Sequence, residues 1–520
     1  MRRLLLALAL LLAAPASAEA AFQVTSFTVT PSGLAAGSHP DVGIALGFGG
    51  DEHVRDLKVS LPPGLVGNPN ATPRCSAAKF RADACAATTR VGTTAVDSTL
   101  LGLPVSAAGD VYNVAPGPGE PARLGIVVRP PLGSDKLFLI SRVALRPGDG
   151  GLDSIITGIP STVRVLGLEQ EMTIRSMNLT LLGRPAGAAK PFMTMPTGCG
   201  PATARVTATS ASNTTVSRAA PPFTPTACAK LPFKPALQAT LASGPLPALR
   251  TVITGPPGNA NTATAAVTLP AAVGVNTAAL RDACTLAQQA AGPCPEASQV
   301  GRAVARTPLL PPLSGPVSLA ALPGQILPGL RVDLRGVVSL SLAGVVGGNP
   351  LTTQFAGIPD VPLERFELSF DAGRALKAIK DVCRGPLPRM SAVLTGHNGA
   401  RATLNVPMTV TGCSKPTVKI RVRGRKLALR VAAARGGPAL RMVRLTLPRK
   451  LKAHPRRGRV SAGRLSRRGV LTIRTEPVRH LVATLRGGAF TRRGKGALRF
   501  KVRTLDASGR RVTQRVKARR

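Results

Sequence analysis

A run of strand-forming residues that stops at proline appears twice in this chain. Residues 59–68 read VSLPPGLVGN, and residues 267–276 read VTLPAAVGVN, so the element recurs after about 200 positions. A β-prone run that ends in proline and glycine is typical of a strand entering a turn. Recurrence at a long, fixed offset predicts two copies of one β-rich unit.

The eight cysteines repeat with the same offset. Each quartet has a first pair ten positions apart and a second pair 29 or 30 apart: Cys75, Cys85, Cys199 and Cys228, then Cys284, Cys294, Cys383 and Cys413. Four cysteines allow three pairings, and the sequence does not select among them. We favour local pairs because each doublet keeps its spacing while the distance between doublets varies. Zinc fits less well, since no histidine lies near a doublet.

The first 20 residues have the pattern of a secretory signal peptide. Arg2 and Arg3 precede an apolar run at residues 4–14. Two small-residue motifs follow, and cleavage is expected after Ala18 or after Ala20. The apolar run is shorter than the roughly 20 residues that span a bilayer. We expect a secreted or cell-surface protein without a transmembrane segment, in a compartment where disulfides persist.

The composition favours β-sheet. The chain has 54 Gly and 48 Pro in 520 residues, which leaves little room for long helices. Its hydrophobic content of 44% is enough for packed cores, although aromatic residues make up only 3%. We expect an all-β protein of tandem antiparallel β-sandwich modules with short helical loops, at residues 75–85 and 277–291, and a basic C-terminal β domain.

These patterns divide the chain into four segments. Gly-Ile-Pro at residues 158–160 returns at residues 357–359, and each copy is followed by an alternating strand. The expected segments are a signal peptide (1–20), a first module (21–230), a second module that duplicates it (231–415) and the basic domain (416–520).

The first module carries LPPGLVGNP at residues 61–69, then Cys75, Phe80, Cys85 and Val91-Gly92. This arrangement resembles the repeating units of large secreted proteins of high-GC bacteria that have no assigned activity. The second module is similar but looser at its proline step. The resemblance implies a β-rich exported protein and transfers no site residue.

Positive charge is concentrated in the last segment. Residues 416–520 contain 33 lysines and arginines against Glu476 and Asp506, which is +31 of the chain's net charge of +44. Basic and apolar residues alternate there, so the cations share a sheet face. The candidate cations for binding an anionic polymer are Lys419, Arg421 and Arg423 in one run and Arg499, Lys501 and Arg503 in another. The alternative is a solvated face that keeps the protein soluble.

The sequence contains no recognisable catalytic, metal or cofactor motif, so we expect a non-enzymatic protein without a cofactor. His53 has acidic neighbours, Asp51 and Glu52, but the Gly-rich stretch 47–52 predicts a solvated turn. His397 lies in Gly-His-Asn-Gly, which predicts a hairpin turn.

The favoured function is structural or adhesive, with electrostatic retention on wall polymer. The alternatives are a soluble binder of teichoic-type phosphate, acidic polysaccharide or extracellular DNA, without sequence-specific recognition, and an unrecognised hydrolase.

Overall fold

The computed structural model describes residues 22–131, 135–383, 386–434, 439–494, 496–507 and 511–519. The expected signal peptide lies outside this range. Antiparallel sheets dominate the described residues, which confirms the predicted all-β fold. Within these ranges no helix is long and apolar enough to cross a membrane.

The first module contains one 12-stranded sheet and a separate two-stranded ribbon, β4 with β12. Its strands are β1 (Gln23–Pro31), β2 (Val42–Gly49), β3 (Val54–Ser60), β4 (Val66–Gly67), β5 (Arg90–Leu100), β6 (Leu103–Val114), β7 (Ala122–Arg129), β8 (Leu137–Leu145), β9 (Leu152–Ile156), β10 (Thr162–Val165), β11 (Leu168–Leu181), β12 (Met193–Thr194), β13 (Arg205–Ser210) and β14 (Thr215–Ala219).

The second module also has a 12-stranded sheet and one ribbon, β18 with β25. Its strands are β15 (Ala236–Ala242), β16 (Leu249–Thr254), β17 (Thr262–Thr268), β18 (Val273–Val275), β19 (Gln299–Arg306), β20 (Leu313–Ala320), β21 (Gly329–Arg335), β22 (Ser339–Gly347), β23 (Thr352–Phe355), β24 (Arg365–Phe370), β25 (Leu376–Ala378), β26 (Arg389–Gly396), β27 (Arg401–Pro407) and β28 (Thr409–Thr411).

The two large sheets share one strand order. The first runs β1-β2-β11-β5-β6-β7-β8-β9-β3-β13-β14, and the second runs β15-β16-β24-β19-β20-β21-β22-β23-β17-β26-β27. In the first sheet the outer strands β1 and β14 approach each other. In the second, β15 approaches β27 and also pairs in parallel with an additional edge strand, β28. Each sheet therefore folds over on itself around one apolar core, within residues 22–220 and 237–408.

The C-terminal segment is a separate sandwich around a third core, within residues 420–502. Its sheets have the orders β29-β30-β36-β33 and β34-β35-β31-β38-β39, and β32 pairs with β37. The strands are β29 (Thr417–Arg423), β30 (Lys426–Ala432), β31 (Leu440–Thr446), β32 (Leu451–Ala453), β33 (Arg459–Val460), β34 (Arg464–Leu465), β35 (Val470–Val478), β36 (His480–Arg486), β37 (Phe490–Arg492), β38 (Arg499–Asp506) and β39 (Arg511–Lys517).

The proline turn identified in the sequence has the same geometry in three places. After β3, β17 and β31, the carbonyl of Pro62, Pro270 or Pro448 accepts a hydrogen bond from the amide three residues later, at 3.2, 2.9 and 2.8 Å. Each turn leads into the short strand of a two-stranded ribbon. The C-terminal sandwich thus shares this element with both modules, although its strand order differs.

The helical elements are short, and the second predicted segment is divided into two pieces. The α-helices are α1 (Ala77–Arg81) and α2 (Leu286–Ala291), capped by Ser76 and Thr285; 3-10 turns occupy Ala87–Thr89, Cys228–Lys230, Thr277–Asp282 and Glu296–Ser298. Residues 277–291 are therefore not one helical segment. Cys284 interrupts them because its backbone pairs with the end of β20, through Leu319 and Ala321.

All four cysteine pairs are local, as favoured from the spacing. The bonds join Cys75–Cys85, Cys199–Cys228, Cys284–Cys294 and Cys383–Cys413. Both ten-residue loops lie at the same end of their sheets, because Cys75 bridges to Val114 of β6 and Cys284 to Ala320 of β20. We name this the disulfide end of each module; the opposite end, where β5 turns into β6 and β19 into β20, is the hairpin end.

Candidate anionic-polymer interface

The six cations singled out in the sequence are all exposed, and their apolar neighbours are buried or half-buried. Along β29 the burial alternates, with Ile420 and Val422 inside and Lys419, Arg421 and Arg423 outside. Along β38, Phe500 and Val502 are inside while Arg499, Lys501 and Arg503 are outside. The alternation follows from the two-residue period of a strand.

The structure does not place all six cations on one face. β29 belongs to the four-stranded sheet and β38 to the five-stranded sheet, and the inner faces of both line the same core. The two triplets therefore project from the outer faces of different sheets. Near one edge the sheets meet, because Arg519, just beyond β39, bridges to Arg421.

The strand register sets a like charge directly opposite five of these six cations. On the five-stranded sheet the pairs are Arg499 with Lys517, Lys501 with Arg515 and Arg503 with Arg444. On the four-stranded sheet they are Lys419 with Arg430 and Arg423 with Lys426. Like charges in directly opposed positions destabilise a sheet. Five such pairs therefore oppose folding of this domain in the absence of a counter-charge.

No acidic side chain relieves this repulsion among the residues that the structure describes. The ion pairs found between them all lie within residues 55–367. The side chains of the six candidate cations have no hydrogen-bonding or ionic partner in the described part of the chain. Their guanidinium and ammonium groups thus remain available to a phosphate or carboxylate in solution.

Sequence reasoning identified only part of this surface. The opposing cations Lys426, Arg430, Arg444, Arg515 and Lys517 were not among the predicted residues. Their alternation is readable in β30, KLALRVA, and in β39, RVTQRVK. Which residues lie opposite one another is not, because alternation alone does not fix the register of a strand with its neighbour, and the pairing of Arg444 with Arg503 joins strands that are far apart in the chain.

His53, the histidine with acidic neighbours, lies against a backbone carbonyl. A turn forms at residues 50–52 with Asp51 exposed, but His53 itself is not solvated: it is 8% exposed, and its Nε2 lies 2.9 Å from the carbonyl oxygen of Ile159. Glu52 instead accepts a hydrogen bond from Ser212. His53 directly precedes β3, and its backbone carbonyl accepts a hydrogen bond from the N–H of Ala211 at 3.0 Å, so the residue lies against the segment that follows β13.

In the second module His397 makes the corresponding contact, with the carbonyl of Ile358, although it lies in a different loop from His53. It follows β26 in a tight connection to β27, as predicted for a hairpin turn, and its Nε2 lies 2.9 Å from the carbonyl oxygen of Ile358. Both isoleucines belong to the repeated Gly-Ile-Pro element. These ring nitrogens therefore hold loops in place.

Other acidic clusters are also accounted for by structure. Arg146 forms 2.8 Å ion pairs with both Asp149 and Asp153, so these carboxylates hold a turn together. No group of three or more His, Cys, Asp or Glu side chains among the described residues is arranged to hold a metal ion.

Comparison with known proteins identified no family model and no curated protein that matches this chain. Solved structures with partial similarity include a marsupial T cell receptor, at 10% identity and a TM-score of 0.13, covering 56% of this chain and 99% of that one. A protein of Corynebacterium diphtheriae described as a candidate membrane-anchored protein shows 8% identity and a TM-score of 0.15, covering 96% and 93%.

Proposed function

We propose that this chain is an exported, non-enzymatic structural or adhesive protein that is held on anionic wall or matrix polymer by its C-terminal sandwich. The observation that carries the proposal is the set of five like-charged cross-strand pairs without an acidic partner. A bound polyanion would place negative charge between these cations and relieve their repulsion. The four disulfides support an extracellular setting, because such bonds persist in oxidising compartments.

The chemistry of the surface favours backbone recognition of a polymer over recognition of bases or sugar rings. Arginine outnumbers lysine among the exposed cations of the sandwich, and its planar fork fits phosphate and carboxylate. The chain has no tryptophan and one tyrosine, Tyr112, which is buried in the first module. Stacking platforms for bases usually require exposed aromatic rings. With the C-terminal sandwich bound to the polymer, the two modules would project away from it.

The test compares full-length variants for binding to purified cell walls across a salt series. One variant replaces Lys419, Arg421 and Arg423 by Gln, and a second replaces Arg499, Lys501 and Arg503 by Gln. For a polymer with the charge density of duplex DNA, each lost contact should reduce the slope of log affinity against log salt by about 0.9. A sheet that touches the polymer with all three cations should show a reduction of about 2.7.

The matched control replaces three exposed cations of the modules, Lys58, Arg205 and Arg401, by Gln. It removes the same net charge and should leave the slope close to that of the unmodified chain. Equal slopes for all three variants would refute the proposal, since binding would then depend on overall charge. Binding that is indifferent to salt would refute it as well.

A further inference from the structure

The two modules are joined end to end by a specific contact. The hairpin end of the second module docks on the disulfide end of the first: the Asn70 side-chain amide donates to the carbonyl oxygens of Pro308 and Leu309 at 3.2 and 2.9 Å. Leu309 and Leu310 lie between β19 and β20 and line an apolar space shared with Pro69, Val143 and Leu152 of the first module. Apolar side chains at a hairpin end are thus partly buried by a neighbouring disulfide end.

The hairpin end of the first module carries comparable side chains that are largely exposed among the described residues. The turn from β5 to β6 reads Leu101-Gly102-Leu103, and the turn from β10 to β11 reads Leu166-Gly167-Leu168. These leucines are 65%, 66%, 84% and 67% exposed. The bases of both hairpins are fixed in the core, for example through Val96 and Val163.

The turn geometry makes these leucines unusual. Leu101 and Leu166 have φ of 54° and 49°, and the glycine that follows each also has a positive φ. Two-residue hairpin turns of this kind favour asparagine, aspartate or glycine at the first position, because a bulky side chain is strained there. The chain therefore has an exposed leucine at two positions where asparagine would adopt the backbone conformation with less strain.

The disulfide end of the second module has an uncovered apolar surface of its own. Ile326 and Leu327, between β20 and β21, are 100% and 61% exposed, and Ile379, after β25, is 64% exposed. Leu286 of α2 and Leu387, just before β26, are exposed nearby in the fold. Most exposed large apolar side chains among the described residues lie at one of these two ends. Clustered exposure of this kind marks an interaction surface.

We propose that the hairpin end of the first module docks on the disulfide end of the second module in another copy of this chain. The contact inside the chain supplies the template, because it already joins a hairpin end to a disulfide end. Two different surfaces meet, so the association is heterologous, and repetition extends it into an open chain of molecules. A lipid surface would account for the leucine tips alone and would leave the second apolar end unexplained.

The experiment measures self-association of the full mature chain by sedimentation velocity over a wide concentration range, in enough salt to screen the C-terminal cations. The tip variant carries Leu101→Asn and Leu166→Asn, and the receiving variant carries Ile326→Asn and Leu327→Asn. Asparagine suits the turns at residues 101 and 166, so the tip variant should fold as well as the unmodified chain. We expect the unmodified chain to form species that grow with concentration. Each variant should associate at least about a hundredfold more weakly, since burying one leucine is worth about tenfold or more.

Mixing the two variants gives the sharpest result. The tip variant keeps its receiving end and the receiving variant keeps its tips, so an equimolar mixture should form dimers that do not grow further. Val482→Asn, which alters an exposed apolar residue of the C-terminal sandwich, is the control and should associate normally.

Three outcomes would overturn the proposal: a chain that stays monomeric at every concentration, a receiving variant that associates like the unmodified chain, or a mixture that forms no dimers. Capture of the monomeric chain by zwitterionic vesicles, lost in the tip variant, would assign the tips to lipid.

Discussion

Asp360 of the second module accepts two hydrogen bonds from Thr197 of the first, from the backbone N–H at 2.8 Å and from Oγ1 at 2.5 Å. Asp360 is only 6% exposed, and its carboxylate also accepts from the side-chain amide of Asn261 at 2.8 Å. A polar anchor therefore lies beside the apolar contact between the modules. Its donors would have no partner if the carboxylate were removed.

Asp360→Ala should loosen the junction between the modules. A buried donor left without a partner costs about 1–3 kcal/mol, so amide exchange at Thr197 should accelerate by about 5- to 150-fold. Hydrogen exchange resolved at single amides provides the measurement. Asp282→Ala, at an exposed position of the second module, should leave that rate unchanged. Unchanged exchange at Thr197 in Asp360→Ala would show that the apolar contact alone holds the junction.

A glycine in β7 makes room for the disulfide-bounded helix of the first module. A Cβ built at Gly125 would lie 2.4 Å from Cε2 of Phe80, which is 2% exposed and packs edge-on against Phe138 at 5.6 Å. Gly125→Ala should reduce the free energy of unfolding by about 1–3 kcal/mol through overpacking. Phe80→Ala should cost about 3–5 kcal/mol. Denaturant unfolding of both variants and of the double variant provides the measurement.

The double variant should be more stable than the sum of the two losses predicts, because removing the ring also removes the clash. Gly347→Ala is the control, since a Cβ there meets nothing within 4 Å and the substitution should change stability little. Strict additivity of Gly125→Ala and Phe80→Ala would contradict the proposed contact.

A charge reversal on β38 should separate stability from binding. Lys501 lies opposite Arg515, and Lys501→Glu would turn a repulsive pair into an attractive one. We expect the C-terminal sandwich to gain about 0.2–1 kcal/mol, seen as slower amide exchange in β38 and β39, while polyanion affinity falls. Lys58→Glu, which faces Thr207, should give no such gain. Loss of protection in Lys501→Glu would be evidence against the cross-strand repulsion.

The acid sensitivity of the first module should depend partly on Asp83. A hydrogen bond from Lys136 at 2.7 Å, together with one from Arg129 at 2.9 Å, lowers the pKa of this carboxyl group. A depressed folded-state pKa contributes stability above the unfolded-state value near 3.9, and the contribution is lost as pH falls through the lower, folded-state pKa. Asp83→Asn should therefore lower stability near neutral pH and flatten its decline in acid. Unfolding measured between about pH 2 and 7 tests this, and parallel curves for both proteins would contradict it.

The sequence by itself determined the class of fold and the strands that carry the C-terminal cations, and its spacing favoured the local disulfides. These depend on neighbours along the chain: alternation with period two buries Ile420 and Phe500 and exposes the cations between them, and a strand that meets proline must turn. The pairing within each short cysteine loop is favoured by proximity along the chain, because a loop of ten residues brings Cys75 to Cys85 without help from the rest of the fold.

Only the tertiary structure decided how distant segments meet. It divided the predicted cationic face between two sheets, set Lys501 opposite Arg515, buried His53 and joined Asp360 to Thr197. The burial of His53 and the junction of Asp360 with Thr197 join residues more than a hundred positions apart. Lys501 and Arg515 belong to the neighbouring strands β38 and β39, and their position opposite one another depends on the register of that hairpin. Local patterns in the sequence carry no information on such pairings, because the same alternating strand can take many partners until core packing selects one.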